Sequence, residues 1–225
     1  IIAPKEGETV VITAASGAVG SAFGALAKAR GCRVVGVAGG AEKCSYVVDE
    51  LGFDGAIDYK NEDVGAALDR LCPNGIDVNF ENVGGAIMDA VVSRMNNFGR
   101  VPLCGMISGY NSEGVAAGPT DFARILMHRL TIRGFIVIDF IPRAMEAIAE
   151  LAPAVDPEAK LKSLDEWLAR YGISVSVRHS AAADAFATGL LAARLLPRAW
   201  QQGVRDFGKP LAAFAGCHVA GQVLQ

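Results

Sequence analysis

Short apolar segments alternate with helix-like segments from Thr9 to Ile138. Apolar runs rich in Val, Ile and Thr are typical of strands that are buried on both faces of a parallel sheet. Six strands are predicted from this pattern, at residues 9–13, 33–38, 56–59, 76–80, 100–104 and 131–138. Because helix-like segments separate them and the turns are short, the pattern predicts an α/β fold with a doubly wound, six-stranded parallel sheet.

The intervening segments predict helices at residues 19–30, 41–51, 63–71, 86–95 and 121–130. Thr120 directly precedes the last of these and is the expected N-cap. The pattern further along the chain is weaker, with helical periodicity at 142–151, 161–171 and 181–196 and a strand-like alternation at 173–177. The predicted organisation is a first domain at residues 1–170 and a C-terminal segment of uncertain fold at 171–225.

The turn after the first predicted strand carries a glycine pattern. Ala15, Gly17 and Gly20 follow the spacing G-x-G-x-x-G, with alanine in the first place. In such a turn one glycine permits the bend, one lets a pyrophosphate approach the backbone, and one lets the helix pack against the strand. The strand before it and the helix after it favour dinucleotide binding on a Rossmann-type sheet over an ordinary strand–turn–helix unit.

The end of the second predicted strand distinguishes between the two nicotinamide cofactors. NAD-binding proteins usually place an acidic residue there to hold the ribose hydroxyls. This chain has Gly39 and Gly40 instead, with Lys43 shortly after. A glycine removes repulsion toward a 2′-phosphate and a lysine supplies a counter-charge, so the sequence favours NADPH. The alternative for Lys43 is a solvated helix position.

Composition and net charge bear on which partners, metal or disulfide sites and location are expected. The net charge of −3 and the scattered basic residues give no sign of a nucleic-acid partner. No apolar run approaches the ~18 residues that span a bilayer, so no membrane partner is expected. Five cysteines without a C-x-x-C pair argue against a zinc site or a disulfide framework. No leader is recognised before Glu6, and a reducing, cytoplasmic location is expected.

Six segments, in order along the chain, closely resemble one protein family. They are A-A-S-G-A-V-G at 14–20, A-G-G-A-E-K at 38–43, I-D-Y-K at 57–60, F-E-N-V-G-G at 80–85, L-C-G-M-I-S-G-Y-N at 103–111 and G-F-I-V at 134–137. This set resembles the zinc-independent branch of the medium-chain dehydrogenases/reductases. That branch comprises the NADPH-dependent alkenal and prostaglandin (leukotriene B4) reductases and their bacterial curcumin-reductase-like relatives. The resemblance extends from Pro4 to about Ile148.

The resemblance implies that residues following the strands hold NADPH. Tyr110 would reach the nicotinamide ribose and the substrate, and it is the expected catalytic residue. The other implied contacts are Lys43 and Tyr59 at the 2′-phosphate, Asn82 near the adenosine ribose, Ala18 and Val19 under the pyrophosphate, Cys104 and Ile107 along the groove, and Phe135 and Val137 beside the nicotinamide. Of these, the apolar residues Cys104, Phe135 and Val137 could equally belong to the core.

The implied activity is hydride transfer from NADPH to the β-carbon of an α,β-unsaturated ketone or aldehyde, in a homodimer that pairs along the sixth strand, with no metal. The family carries a substrate-binding domain ahead of the first strand, whereas this sequence starts at Ile1. It also ends in an N-x-G-K cofactor contact, for which this chain has Asp206 in the first place. An acid there would repel a polyphosphate. The alternative is therefore an NADP(H)-binding module without turnover of its own.

Overall fold

The computed structural model of the chain describes residues 3–110, 118–140, 164–170 and 172. Six strands and six α-helices lie within these residues. The strands are β1 (Thr9–Thr13), β2 (Arg33–Ala38), β3 (Gly55–Asp58), β4 (Ile76–Phe80), β5 (Met95–Leu103) and β6 (Thr131–Gly134). The helices are α1 (Ala18–Ala29), α2 (Ala41–Ser45), α3 (Val64–Leu71), α4 (Gly85–Val92), α5 (Phe122–Met127) and α6 (Leu164–Arg170).

The strands form one parallel sheet in the order β3-β2-β1-β4-β5-β6. The chain starts in the middle with β1, moves outward to β3, and then returns to the other side of β1 with β4. This is the doubly wound Rossmann arrangement, which confirms the predicted fold class. The two windings diverge between β1 and β4, and ligands bind at the carboxyl ends of the strands on either side of such a switch point. In the described part of the chain β6 pairs with β5 alone and is an edge, as expected.

The central strands of the sheet are buried on both faces, which explains the apolar runs of the sequence. On one face Val11 packs in a core cluster with Leu68 of α3 and Met88 of α4. On the other face the ring of Phe23 in α1 stacks on that of Phe80, with centroids 4.0 Å apart. Helices on both faces leave β1 no solvent-exposed side, so all five of its residues are buried.

Several element boundaries differ from the sequence prediction. The pairing of Met95 with Ile76 places that residue at the start of β5 rather than in the preceding helix. A register shift follows, and Phe98 adopts a φ of 63° within the irregular part of the strand. The edge strand β6 ends at Gly134, and residues 137–140 form a 3₁₀ helix in place of the predicted strand end. The second predicted helix is α2 continued by a π-helical turn over Tyr46–Glu50.

The N-cap of α5 is Asp121, so the prediction of Thr120 was wrong. The Asp121 carboxylate accepts the backbone N–H of Arg124 at 2.8 Å. Thr120 binds α4 instead: its N–H and its hydroxyl both donate to the carboxylate of Asp89. Two adjacent residues could each cap this helix, and the long-range partner Asp89 decides between them.

The chain divides into two compact units, Ile1–Phe135 and Ile136–Gln225. The whole sheet belongs to the first unit. The second contributes, among the described residues, the 3₁₀ helix Val137–Phe140 and α6, which falls within the predicted helix 161–171. The elements predicted at 142–151, 173–177 and 181–196 lie outside the described residues, as does the segment 171–225 apart from Gly172. No helix in the described ranges has the length and apolarity needed to cross a membrane.

Replacing Gly24 with alanine should destabilise the fold, although alanine is the better helix former. A Cβ on Gly24 in α1 would stand 1.9 Å from Cζ of Phe53, a buried ring. Overpacking of this kind costs about 1–3 kcal/mol, more than the ~1 kcal/mol that the helix gains from alanine. Urea unfolding followed by circular dichroism measures the difference.

Gly65→Ala in α3 is the matched control. The closest atom to its added Cβ is Nη2 of Arg94 at 2.8 Å, at the end of a side chain that is paired with Asp69. This variant should lose less stability than Gly24→Ala, because the end of an arginine side chain can shift more readily than a buried ring. Equal unfolding midpoints for Gly24→Ala and the unmodified chain would contradict the packing described for α1.

Candidate functional site

The turn between β1 and α1 is packed so closely that only glycine fits at position 20. A Cβ there would stand 2.6 Å from the carbonyl oxygen of Ala14 and 2.8 Å from the Cα of Ala15. Ala15 is buried, and its N–H donates to the carbonyl of Val37 at 3.0 Å, which ties the turn to β2. Gly17 is the N-cap of α1 and offers no side-chain acceptor. The first amide groups of α1 therefore face outward from a turn of small residues, the arrangement that suits a phosphate.

A buried carboxylate lies beside this turn, at the switch point of the sheet. Glu81 follows β4 and is completely shielded from solvent. Its Oε1 accepts the hydroxyl of Thr13 at 2.9 Å and the N–H groups of Val83 and Gly84 at 2.7 and 2.8 Å. Its Oε2 accepts the side-chain amide of Asn79 at 2.7 Å. Four donors offset the desolvation that burying a carboxylate entails.

Asn82 is bound on three sides by this arrangement. Its backbone N–H donates to the hydroxyl of Thr13, and its side-chain amide donates to the Thr13 carbonyl, both at 2.7 Å. Its own carbonyl accepts the N–H of Ile107 at 3.0 Å. The loop after β4 and the loop after β5 are joined a second time where Ser108 donates to the carbonyl of Val83. Asn82, the predicted ribose contact, is thus held in place by hydrogen bonds to the end of β1 and to the loop after β5.

Tyr110 ends a short 3₁₀ helix, Ile107–Gly109, that follows β5. Its side chain is 50% exposed, so a core role does not account for it. The phenolic oxygen accepts the N–H of Met106 at 3.4 Å. Because that bond uses the oxygen as an acceptor, the phenolic proton points elsewhere and remains available as a donor.

The end of β2 is covered by residues that follow β3. A Cβ on Gly39 would stand 2.9 Å from the ring of Tyr59. Gly40 has a φ of 99°, which favours glycine, and its N–H donates to the carboxylate of Asp58 at 2.7 Å. Lys43 is exposed in α2. Two partly buried glycines therefore stand where many dinucleotide-binding proteins carry an acid, and the exposed Lys43 follows them in α2.

The remaining predicted residues occupy different surroundings. Cys104 is buried directly after β5. Phe135 follows β6, and its ring lies 6.4 Å from that of Phe80, tilted by 53°. Val137 belongs to the second unit, so its predicted place beside the nicotinamide stays a prediction. Asp206 lies outside the described residues.

The carboxyl edge of the sheet in the first unit thus carries all but one of the predicted contact residues. They are Ala15, Gly17, Ala18, Val19, Gly20, Gly39, Lys43, Tyr59, Asn82, Cys104, Ile107, Tyr110 and Phe135. Four further residues at this edge were not predicted from the sequence, namely Thr13, Asp58, Lys60 and Glu81. A signal was present for two of them, because Thr13 and Glu81 are polar residues directly at the carboxyl ends of predicted strands.

Comparison with known proteins decides the family. The sequence model described as "Zinc-binding dehydrogenase" matches residues 18–154. The chain belongs to this dehydrogenase family. Among the residues with described positions, no group of three or more His, Cys, Asp and Glu side chains is placed to hold a metal ion.

Individual relatives of this dehydrogenase chain confirm the predicted branch. The "NADPH-dependent curcumin reductase" of Escherichia coli (strain K12) is 46% identical over 138 residues, which are 60% of this chain and 40% of that protein. The "2-alkenal reductase (NADP(+)-dependent)" of Nicotiana tabacum is 45% identical over 152 residues, 66% of this chain and 44% of that protein. The crystal structure of CurA from Vibrio vulnificus in complex with NADPH superposes with a TM-score of 0.61 at 41% identity.

The match with these relatives is partial in length. The CurA superposition covers 85% of this chain and 55% of that chain. The chain spans between 40% and 44% of the two curated reductases.

Removing the charge of Glu81 should destabilise the chain. In Glu81→Gln the new NH₂ group faces donors, so either Asn79 or the group formed by Thr13, Val83 and Gly84 loses its acceptor. Hydrogen bonds to a buried charge are worth about 1.5–3 kcal/mol, and we expect a loss of about 2–3 kcal/mol in the free energy of unfolding. Glu50→Gln makes the same chemical change at an exposed residue and should stay within about 0.5 kcal/mol. Equal stability of the two variants would show that the network is dispensable.

Proposed function

We propose that this chain is the cofactor-binding part of an NADPH-dependent reductase that acts on the C=C bond of α,β-unsaturated ketones and aldehydes. The observation that carries the proposal is the pairing of a glycine turn at the start of α1 with a turn at the end of β2 that has Gly39 and Gly40 in the place of the usual acid, followed by Lys43 in α2. The first suits a pyrophosphate and the second a 2′-phosphate. The names of the Escherichia coli and tobacco relatives and the NADPH-bound CurA structure support the same cofactor.

Each end of the cofactor has its own group of residues in this proposal. Lys43 and Tyr59 hold the 2′-phosphate, and Asn82 lies near the adenosine ribose. The backbone of residues 17–20 receives the pyrophosphate. Cys104 and Ile107 line the groove, Tyr110 reaches the nicotinamide ribose, and Phe135 flanks the nicotinamide.

NADPH supplies the hydride when it is bound. The part played by the chain is to orient the nicotinamide, to exclude water and to stabilise the charge that develops on the substrate oxygen. Tyr110 suits the last task, because the residue is half exposed and its phenolic proton is not used in the bond to Met106. The alternative, an NADP(H)-binding module without turnover, rests on the partial length of the match.

Lys43→Ala should weaken the binding of NADPH far more than that of NADH. Loss of a charge-assisted hydrogen bond to the 2′-phosphate costs roughly 1.5–3 kcal/mol, whereas NADH has no group at that place. Fluorescence titration of the two reduced cofactors gives both dissociation constants. The exposed Lys5, remote in sequence from the turn after β2, provides a control as Lys5→Ala. Equal losses for both cofactors would contradict the assignment of the 2′-phosphate site.

The chain as given should bind NADPH but reduce enones at near-background rates. Hydride transfer needs a substrate held at the nicotinamide within a few tenths of an ångström and shielded from water. Only about half or less of the length of the relatives is present to build that pocket. NADPH consumption with a simple enone, monitored at the absorption of the nicotinamide, tests this expectation. Robust turnover would show that these 225 residues form a complete pocket.

The chain is expected to self-associate through β6. This strand is an edge of the sheet within the described residues, and Thr131 and Arg133 are exposed on it. Unpaired backbone groups at a sheet edge favour pairing with a second copy across a twofold axis. Sedimentation velocity at micromolar concentration should therefore show a homodimer. A single monomer boundary up to that concentration would contradict it.

A cytoplasmic location is part of the proposal. Burial, together with the nearby charge of Glu8, raises the pKa of Cys32 to about 11, and burial raises that of Cys72 to about 11. Both side chains remain thiols in the structure. Unpaired thiols of this kind suit a reducing compartment.

A further inference from the structure

We infer that Lys60 is a second cationic determinant of 2′-phosphate recognition, held over the end of β2 by the turn that follows β3. The inference rests on the proposed NADPH function and adds a specificity-determining residue to it. It comes from where the structure places the Lys60 side chain, since in sequence this residue is separated from Lys43 by the whole of β3.

The space beside Gly39 is filled by two side chains. The Cε of Lys60 lies 3.0 Å from the position that a Cβ on Gly39 would take, and Cε1 and Cζ of Tyr59 lie 2.9 and 3.0 Å from it. In NAD-binding proteins an acidic side chain projects at this end of the second strand. Here the methylene chain of a lysine and a phenol ring occupy the volume that such an acid would enter. The ammonium group, one bond beyond Cε, therefore lies at the end of β2.

Asp58 fixes the backbone from which Lys60 projects. One carboxylate oxygen, Oδ1, accepts both the N–H of Gly40 at 2.7 Å and the N–H of Lys60 at 3.1 Å. The other, Oδ2, accepts the side-chain amide of Asn61 at 2.7 Å. These bonds, that from Asn61 foremost, hold the pKa of Asp58 below its usual value. The turn after β2 and the turn after β3 are thereby joined through a single ionised group.

Two acids lie near these lysines: Asp58 attracts the Lys60 ammonium group through space without forming an ion pair, and Glu42 is next to Lys43 in sequence. Glu62, the other acid of this turn, is paired with Arg70 at 3.0 Å and also accepts the N–H of Asp58. Among the residues with described positions, neither Lys43 nor Lys60 has a carboxylate within ion-pair distance. A phosphate dianion between α2 and the turn after β3 would thus be met by two cations and the Tyr59 hydroxyl, which is the donor set that phosphates favour.

The test compares Lys60→Gln, Lys43→Gln and the control Lys5→Gln by isothermal titration calorimetry. The ligands are NADPH, NADH, adenosine 2′,5′-bisphosphate and 5′-AMP, so that the 2′-phosphate is read without turnover. We expect Lys60→Gln to weaken binding of NADPH and of the bisphosphate about tenfold, the loss typical of one charge-assisted contact. Binding of NADH and 5′-AMP should stay within about twofold. Lys60→Arg should restore most of the loss, since it keeps the charge.

The outcomes separate this inference from the proposed function. If the unmodified chain binds NADPH no better than NADH, the proposed function fails and the inference with it. If Lys43→Gln abolishes the preference but Lys60→Gln behaves like Lys5→Gln, the proposed site stands and the inference is overturned. Equal weakening of phosphorylated and unphosphorylated ligands by Lys60→Gln would assign Lys60 a structural role and would also overturn it.

Discussion

The buried carboxylate of Glu81 is the interaction on which the carboxyl edge of the sheet depends. It stands where the two windings separate, and it receives hydrogen bonds from both sides of that gap, from Thr13 at the end of β1 and from the loop after β4. A charge in such a place is tolerated only while its donors are present, because desolvation is not otherwise offset. The loop geometry and the buried side chain of Glu81 therefore require each other.

Hydrogen bonds link Glu81 to the residues proposed to contact the cofactor. Thr13, held by Glu81, binds Asn82 twice, and the Asn82 carbonyl binds the start of the 3₁₀ helix that leads to Tyr110. At the proposed pyrophosphate position the constraint is steric and does not involve Glu81, because Gly20 admits no Cβ against Ala14. Hydrogen bonds across the switch point thus position the residues near the nicotinamide. Close backbone packing positions the turn that is proposed to hold the pyrophosphate.

The sheet could be predicted because its cause is local. β1, β2 and β4 are the central strands, most of their residues are buried between helices, and their bounds agree with prediction. The ends of the weaker strands could not be predicted, because their limits depend on pairing. Met95 looks helical by periodicity and becomes a strand residue only through Ile76. Thr120 and Asp121 are equally good caps until Asp89 binds one of them.

The glycine turn and Lys43 were visible in the sequence for the same reason, since their spacing is itself the signal. Thr13 and Glu81 lie 68 residues apart along the chain, so no window of sequence shows that they meet. Lys60 was overlooked because an exposed lysine after a strand is common. Only the folded turn, pinned by Asp58, brings its side chain over Gly39.

A crystal structure of this chain grown with NADPH would test the central claim most directly. The account predicts density for the pyrophosphate against the backbone of residues 17–20 and for the 2′-phosphate at the end of β2, within ion-pair distance of Lys43. Nucleotide bound away from the carboxyl edge of the sheet, or a 2′-phosphate directed away from Gly39 into solvent, would contradict it.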